Sequence, residues 1–212
     1  MRTDDLIGQL SANLEPVKRG AIGRLLLATV AIGMIGSAVV MLGMLGLRHD
    51  FSSAMMSFGM WTKLAYTLAI AVFAFFLLER AGRPGADMSK PALLMALPVL
   101  YIVLLAIVQL SAPGADKHGL MMGHSSQVCA PLVLLTALPT LVATFWVLRR
   151  LAPTRLTSAG AIAGLFAGGA GAFVYSFHCT EGAAPFIAIW YTLGIALTTA
   201  LGALLGRHFL RW

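Results

Sequence analysis

Residues 25–47 read LLLATVAIGMIGSAVVMLGMLGL, an apolar stretch without Asp, Glu, Lys or Arg. The hydrocarbon core of a bilayer is about 30 Å thick, so a helix that crosses it needs roughly 20 apolar residues. Backbone polar groups in lipid must pair within their own segment, which predicts a helix here. Because five more stretches match it, we predict an all-α integral membrane protein, a six-transmembrane-helix bundle. The other five stretches are 61–78, 92–110, 128–148, 158–177 and 186–206.

The composition of the whole chain supports this prediction. Hydrophobic residues make up 59% of the 212 residues, and charged residues make up 11%. Soluble domains are about 25% charged, so the chain does not belong to the ordinary soluble class. Lys63 is the only charged residue within the six stretches. The absence of acidic residues there argues against proton-coupled transport, which uses carboxylates inside the membrane.

The basic residues predict how the helices are oriented. All but three of the 15 Lys and Arg residues lie in one set of alternate connections and termini, and the exceptions are Arg48, Lys63 and Lys117. The positive-inside rule then predicts that both termini are cytoplasmic in a bacterial inner membrane. The net charge of +7 is therefore explained by topology, and no basic run with interleaved aromatic residues predicts direct nucleic-acid binding. We expect a cytoplasmic segment (1–24), a membrane domain (25–206) and a cytoplasmic tail (207–212).

Glycines recur at helical spacing in the fifth and sixth predicted helices. Gly160, Gly164 and Gly168 lie four residues apart on one face, and Gly202 and Gly206 repeat the spacing in the sixth helix. Such faces let helix backbones approach closely in a membrane. The pattern favours packing within one bundle over packing against a second copy of the chain.

The two cysteines of the chain lie at the outer ends of neighbouring helices. Cys129 opens the fourth predicted helix and Cys179 follows the fifth, and a short inner loop joins these helices into a predicted hairpin. The hairpin brings both residues to one level, at a distance that a disulfide can bridge. The pair is either a structural staple or a reversible redox or metal-reactive pair. A protonated His178 would favour the thiolate of Cys179, whereas Glu181 would oppose it.

Histidines and methionines surround the same predicted outer boundary. Imidazole and thioether groups are ligands for zinc and copper, and the alternative is that these residues are simply solvated or lipid-facing. No tight metal-binding motif is present, so these residues are candidate ligands only. We predict no resident cofactor, only a transient heavy-metal ion at the two cysteines. The candidate ligands are His118, Met121, Met122, His124 and His178.

The N-terminal residues 3–14 read TDDLIGQLSANL, the pattern of a short amphipathic helix. Thr3 suits the N-cap, and Pro16 ends the pattern. A helix this short is not stable alone in water, so its apolar face needs a surface. Its acidic charge favours a groove on a basic protein over an anionic membrane, while docking on the protein's own inner loops stays open. The predicted partner-binding residues are Asp4, Asp5, Leu6, Ile7, Leu10 and Leu14.

Short motifs spread along the chain resemble those of the NrsF-like family of six-helix membrane anti-sigma factors. Each motif is weak singly, but their order along the chain is fairly specific. They are Thr3-Asp-Asp-Leu-Ile, Trp61-x-Lys63, Arg83-Pro-Gly85, Gly123-x-Ser125 before Cys129, Arg150-Leu-Ala-Pro153, Gly160-x-x-x-Gly164, Tyr175 with Cys179-x-Glu181, Trp190-Tyr-x-Leu-Gly194 and Leu210-Arg-Trp212.

The resemblance implies a regulator and not an enzyme. In such a protein the cytoplasmic residues 1–24 would hold an extracytoplasmic-function sigma factor away from RNA polymerase. The outer cysteine pair, matched by Cys129 and Cys179, would respond to heavy metals or oxidants. Our own hypothesis is that modification or metal binding there changes the packing of the fourth and fifth helices and lowers the affinity of the inner segment for the sigma factor. The competing predictions are a membrane metal transporter and a thiol–disulfide oxidoreductase. An oxidoreductase would be expected to pass electrons to a quinone or a second dithiol, and with two cysteines in total the chain has no relay pair.

Overall fold

The structure, a computed structural model, describes residues 3, 5, 7, 8, 12, 21–82, 89–151 and 153–211. All regular secondary structure in these residues is helical, and six helices are long and apolar enough to cross a membrane. The prediction of six apolar helices is confirmed for this part of the chain. The helices are α1 (Ala21–Val40, continued by a π-helical turn, Met41–Leu45), α2 (Phe58–Ala81), α3 (Ala96–Leu110), α4 (Ser126–Leu151), α5 (Leu156–Tyr175) and α6 (Ala184–Phe186, a π-helical turn at Ile187–Tyr191, then Thr192–Phe209). Short helices, Phe51–Ala54, Ser89–Leu94 and Lys117–Met122, precede α2, α3 and α4.

Two helices end a few residues before the ends of the apolar stretches from which they were predicted. α1 ends at Leu45 because Gly46 has a φ of 77°, a left-handed conformation that glycine adopts without strain. α5 ends at Tyr175, and the backbone N–H groups of Ser176 and Cys179 still bond to carbonyls in its last turn. The last residues of each stretch lie in the connection that follows the helix. Hydropathy does not distinguish these connecting residues from helical ones.

α5 is the central helix of the bundle. It packs against α6, α4 and α2, whereas α1 packs mainly against α4. α3 lies at the periphery, where only Pro98, Ile102 and Ala106 of its residues are buried. The small residues of α5 explain its central position, because they let three neighbouring helices approach its backbone.

The glycine faces of α5 and α6 pack against each other within one chain. A Cβ atom added at Gly160 would overlap the carbonyl oxygen of Gly202, and one added at Gly164 would overlap that of Thr198. The two backbones are therefore in direct contact along this face. The outer members of the two faces, Gly168 and Gly206, contact Ile195 and Leu156 of the opposite helix.

A polar contact holds α1 on the bundle. The buried hydroxyls of Ser37 in α1 and Thr140 in α4 lie 2.9 Å apart and share a hydrogen bond. A Cβ atom at Gly33 would lie 2.9 Å from the Thr140 Cα atom, so the helices also touch through their backbones. α1 is thus attached chiefly to α4.

Three connections, 46–57, 111–125 and 176–183, meet at one end of the bundle, which we call the cysteine end. The Arg48 backbone N–H donates to the Phe177 carbonyl at 3.2 Å, and the Trp190 indole donates to the Met121 carbonyl at 3.0 Å. The connection between α4 and α5 lies at the opposite end. α1 therefore begins at the end of the bundle opposite the cysteine end.

Candidate functional site

The two cysteines lie together at the cysteine end. Cys129 is in the first turn of α4 and is fully buried, and Cys179 is in the connection after α5 and is 3% exposed. Both are free thiols, and both belong to the same cluster of buried residues. The pair is brought together because α4 and α5 form a hairpin, and the Cys179 N–H extends the last turn of α5 by bonding to the Tyr175 carbonyl at 3.1 Å.

Two tyrosines enclose the thiols on the side facing the core. Tyr175 and Tyr191 are buried, with ring centroids 5.7 Å apart. The buried Tyr191 hydroxyl has no hydrogen-bond partner among the described residues. Tyr191 ends the π-helical turn of α6. Such turns often occur at functional sites, since they displace one residue from the regular helical spacing.

Lys63 of α2 reaches the same site from another side. Its side chain is fully buried, and its ammonium donates to the carbonyl oxygens of Cys179 at 2.7 Å and Glu181 at 2.8 Å. No carboxylate forms an ion pair with it among the residues that the structure describes. Sequence reasoning did not assign Lys63 a function. The sequence feature that singles out Lys63 is that it is the only charged residue within the six apolar stretches.

Arg48 and His178 tie the cysteine connection to the residues that follow α1. Arg48 donates a side-chain hydrogen bond to the Cys179 carbonyl at 3.2 Å, and His178 Nδ1 lies 3.0 Å from the Gly46 carbonyl. Together with the backbone bond from Arg48 to Phe177, these contacts form what we call the α1 latch. The Arg48 guanidinium also makes two 2.7 Å hydrogen bonds to the Asp50 carboxylate, which lower the pKa of that carboxyl.

The surroundings of Cys179 make its thiol more acidic than an ordinary one. The hydrogen bond with Cys129 lowers the pKa of the Cys179 thiol, burial acts in the opposite direction, and the Lys63 ammonium lowers the pKa further. Because the thiolate is the nucleophilic and metal-binding form of cysteine, the arrangement favours chemistry at Cys179. The predicted contribution of a protonated His178 is not needed for this effect, since Lys63 supplies a positive charge.

The other candidate ligands do not surround the thiols. Among the described residues, no group of three or more His, Cys, Asp or Glu side chains is arranged to hold a metal ion. His118, Met122 and His124 are exposed, and the imidazole of His124 lies 3.6 Å from Glu181. The backbone carbonyl of Met121 accepts from Trp190. The two cysteines lie in one buried cluster, and thiolate sulfur is a donor that soft metal ions prefer.

The N-terminal segment is described at only a few positions. Residues 3, 5, 7 and 8 are helical and exposed, and the Ile7 side chain is 58% exposed. The predicted partner-binding residues Asp4, Leu6, Leu10 and Leu14 lie outside the described residues. Ile7 is the one described residue of the predicted apolar face, and its side chain is largely uncovered.

Comparisons with known proteins agree with the resemblance noted in the motifs. The family model described as "NrsF: Negative regulator of sigma F" matches residues 10–212. A "Probable anti-sigma-F factor NrsF" of Azospira oryzae is 34% identical over 213 residues, which is 100% of both chains. An "Anti-sigma-F factor NrsF" of Caulobacter vibrioides is 34% identical over 214 residues, again with 100% of both chains covered. No solved structure matches the chain. With the family model covering nearly the whole chain and both relatives matching it from end to end, this protein belongs to the NrsF family of negative regulators of sigma F.

Proposed function

We propose that this protein is an anti-sigma factor of the bacterial inner membrane. It sequesters a sigma factor of the extracytoplasmic-function class and releases it when a periplasmic heavy-metal ion or oxidant reacts at Cys129 and Cys179. The observation that carries the proposal is the buried thiol pair, which the α1 latch connects to the helix that follows the N-terminal segment. Family membership supports the regulatory role and a sigma factor as the partner.

The charges at the two ends of the bundle support the membrane orientation. Seven exposed arginines cluster at the end opposite the cysteines. At the cysteine end, Arg48 and Lys63 are partly or fully buried, and Lys117 is exposed. By the positive-inside rule, the arginine-rich end is cytoplasmic and the cysteine end faces the periplasm. The periplasm is oxidising, so a thiol pair there meets oxidants and metal ions directly. The described arginines at the opposite end are Arg24, Arg80, Arg149, Arg150, Arg155, Arg207 and Arg211.

The N-terminal segment is the proposed sigma-binding element. Its described residues include the exposed acidic Asp5 and the exposed apolar Ile7. An acidic helix with an unburied apolar face fits a groove on a protein partner, where the apolar side chains are covered. The segment directly precedes α1, so a movement of α1 changes how the segment is presented to the partner.

The proposed relay runs from the thiols through the α1 latch to α1. A chemical change at Cys179 displaces the connection 176–183, whose carbonyls accept from Arg48. α1 then moves against α4, where the contact between Ser37 and Thr140 is a single hydrogen bond. Shifting a two-state equilibrium from 1:99 to 99:1 needs about 5.5 kcal/mol of differential binding. Disulfide formation or thiolate–metal binding supplies free energy of this order.

Replacement of both Cys129 and Cys179 by serine is expected to leave the sigma factor bound but to abolish its release. Cells that express the sigma factor with and without this protein are fractionated, and the sigma factor is measured in the membranes. It should sediment with the membranes only when the protein is present. Chromate, cadmium, copper or peroxide should then release it from the wild type and not from the double variant.

The matched control for this experiment is Met122→Leu, which removes an exposed sulfur at the same end. Its release should follow the wild-type dose response. A sigma factor that stays cytosolic in the presence of the wild-type protein would refute the anti-sigma function. An unchanged dose response in the double serine variant would instead confine the cysteines to a structural role.

The Arg48→Ala/His178→Ala double variant is expected to uncouple the thiols from sigma-factor release. It removes two of the three hydrogen bonds of the α1 latch, each worth about 1–3 kcal/mol, a large share of the roughly 5.5 kcal/mol needed for the switch. The sigma factor should stay on the membrane after inducer treatment although the thiols still react. His49→Ala is the control, since this exposed neighbour takes no part in the latch. Normal release from the double variant would mean that the signal follows another route.

A further inference from the structure

A cavity of about 210 Å³ opens beside the thiol pair. It lies between the end of α1, the start of α4 and the connection after α5, and its lining includes Cys179 but not Cys129. Two of its lining residues, His49 and Thr180, are exposed, so the cavity is reachable from outside the bundle. Its volume accommodates several water molecules. A small molecule in the cavity therefore contacts Cys179 and not Cys129.

A polar atom in the wall of the cavity indicates what kind of molecule enters. Ser125 lines the cavity, and its buried hydroxyl oxygen has no hydrogen-bond partner in the described part of the chain. Buried polar atoms are nearly always hydrogen-bonded, so an unpaired hydroxyl favours a polar occupant. The cavity has largely apolar walls and offers a small polar molecule one unpaired hydrogen-bonding atom.

Lys63 makes the two sulfurs electrostatically unequal. Its buried ammonium has two carbonyl acceptors, on Cys179 and Glu181, and no carboxylate ion-pair partner among the residues that the structure describes. A buried charge is costly without an opposite charge nearby. The electrostatic interaction of the ammonium is stronger with Cys179 than with Cys129, so negative charge on the sulfurs is stabilised most at Cys179.

We propose that the two thiols have different roles: Cys179 reacts first with a small polar oxidant or electrophile from the cavity, and Cys129 reacts second. Lys63 is the positioning residue that makes Cys179 the more reactive sulfur. This inference rests on the proposed sensing function of the pair and specifies the order of its chemistry.

With hydrogen peroxide as the oxidant, the thiol pair is oxidised to a disulfide in two steps. The Cys179 thiolate attacks one oxygen of hydrogen peroxide, a sulfur–oxygen bond forms, the oxygen–oxygen bond breaks and hydroxide leaves. The Cys129 sulfur then attacks the Cys179 sulfur, forms the disulfide and displaces the sulfenic oxygen, which leaves as water with the Cys129 proton. The two sulfurs together lose the two electrons that the peroxide gains.

The order is tested with single-cysteine variants of the full-length protein in detergent. Methyl methanethiosulfonate transfers its methylthio group to a cysteine sulfur, forming a new disulfide bond while methanesulfinate leaves. The rate is followed by mass spectrometry for Cys179 in the Cys129→Ser variant and for Cys129 in the Cys179→Ser variant. We expect Cys179 to react at least about tenfold faster. Equal rates, or faster reaction of Cys129, would overturn the proposed order.

The role of Lys63 is tested in the Cys129→Ser background. Lys63→Met should slow the labelling of Cys179 by about tenfold, and Lys63→Arg should restore it to within about threefold, since it keeps the charge. If Lys63 had a purely structural role, Lys63→Met would loosen the site and expose the Cys179 thiol. The labelling rate of Cys179 would then rise. An unchanged or faster rate in Lys63→Met would therefore overturn the role of Lys63.

These labelling rates are measured without a sigma factor, so they are independent of the proposed function. Unequal labelling combined with normal sigma-factor release from the double serine variant would contradict the sensing function and leave the reaction order standing. Equal labelling combined with loss of release in that variant would contradict the reaction order and leave the sensing function standing.

Discussion

Replacement of Gly164 by leucine is expected to abolish folding of the helix bundle. A Cβ atom at this position would overlap the Thr198 carbonyl oxygen and lie 2.8 Å from the Thr199 Cα atom. Both are backbone atoms, so no rotation of a side chain relieves the overlap, and α5 and α6 must separate. Overpacking of a close-packed core costs about 1–3 kcal/mol even where side chains adjust, and we expect a loss beyond about 3 kcal/mol here. The yield of monodisperse protein in detergent and its thermal stability measure this effect.

The matched control for this prediction is Gly43→Leu. Gly43 also lies in a helical segment, but a Cβ atom there would meet no atom within 4 Å. We expect its stability to match that of the wild type within about 0.5 kcal/mol. If Gly164→Leu folded as well as Gly43→Leu, the close contact between α5 and α6 would not exist in the protein.

Replacement of residues 2–17 by a flexible Gly/Ser sequence of equal length is expected to abolish sigma-factor binding. The segment supplies the exposed Ile7 and Asp5, and the proposed partner covers its apolar face. Loss of the central apolar anchors of an interface typically costs at least about 2 kcal/mol, which is about a thirtyfold loss of affinity. Co-purification of the sigma factor with the affinity-tagged protein measures the change.

Two controls separate loss of binding from loss of folding. The replacement variant should elute from a sizing column like the wild type, since the described six-helix bundle begins at residue 21. An Asp5→Asn variant, which keeps the apolar face, should retain part of the binding. If the sigma factor still co-purified with the replacement variant, the binding surface would have to lie on the inner connections or the C-terminal tail.

The helices were predictable from the sequence because hydropathy and length are local properties. Residues 25–47 are recognisable as a span without any knowledge of their neighbours. The glycine spacing likewise places Gly160 and Gly164 on one face, since residues four apart share a face in every helix. The proximity of Cys129 and Cys179 was also predictable, because a short connection between α4 and α5 leaves a hairpin as the expected arrangement.

The site around the cysteines was not predictable to the same extent. Lys63 is 116 residues from Cys179, and Arg48 is 131 residues from it, so no local pattern relates either residue to the thiols. The His and Met candidates were chosen because their residue types gather at one end of the chain's predicted topology. Knowing the type of a residue and the end of the bundle at which it lies does not give its distance from the thiols. In the structure, His118 and His124 are exposed at the periphery.

By itself, therefore, the sequence determined the six apolar helices, the faces on which their glycines lie and the end at which the thiols meet. These follow from hydropathy, helical periodicity and the order of the helices along the chain. Only the tertiary structure decided which helix each glycine face contacts, and which charges reach the cysteines. It joined Lys63 of α2 and Arg48 after α1 to the carbonyl of Cys179. The physical reason is that such contacts depend on how helices distant in sequence pack side by side, and helical periodicity carries no information on that packing.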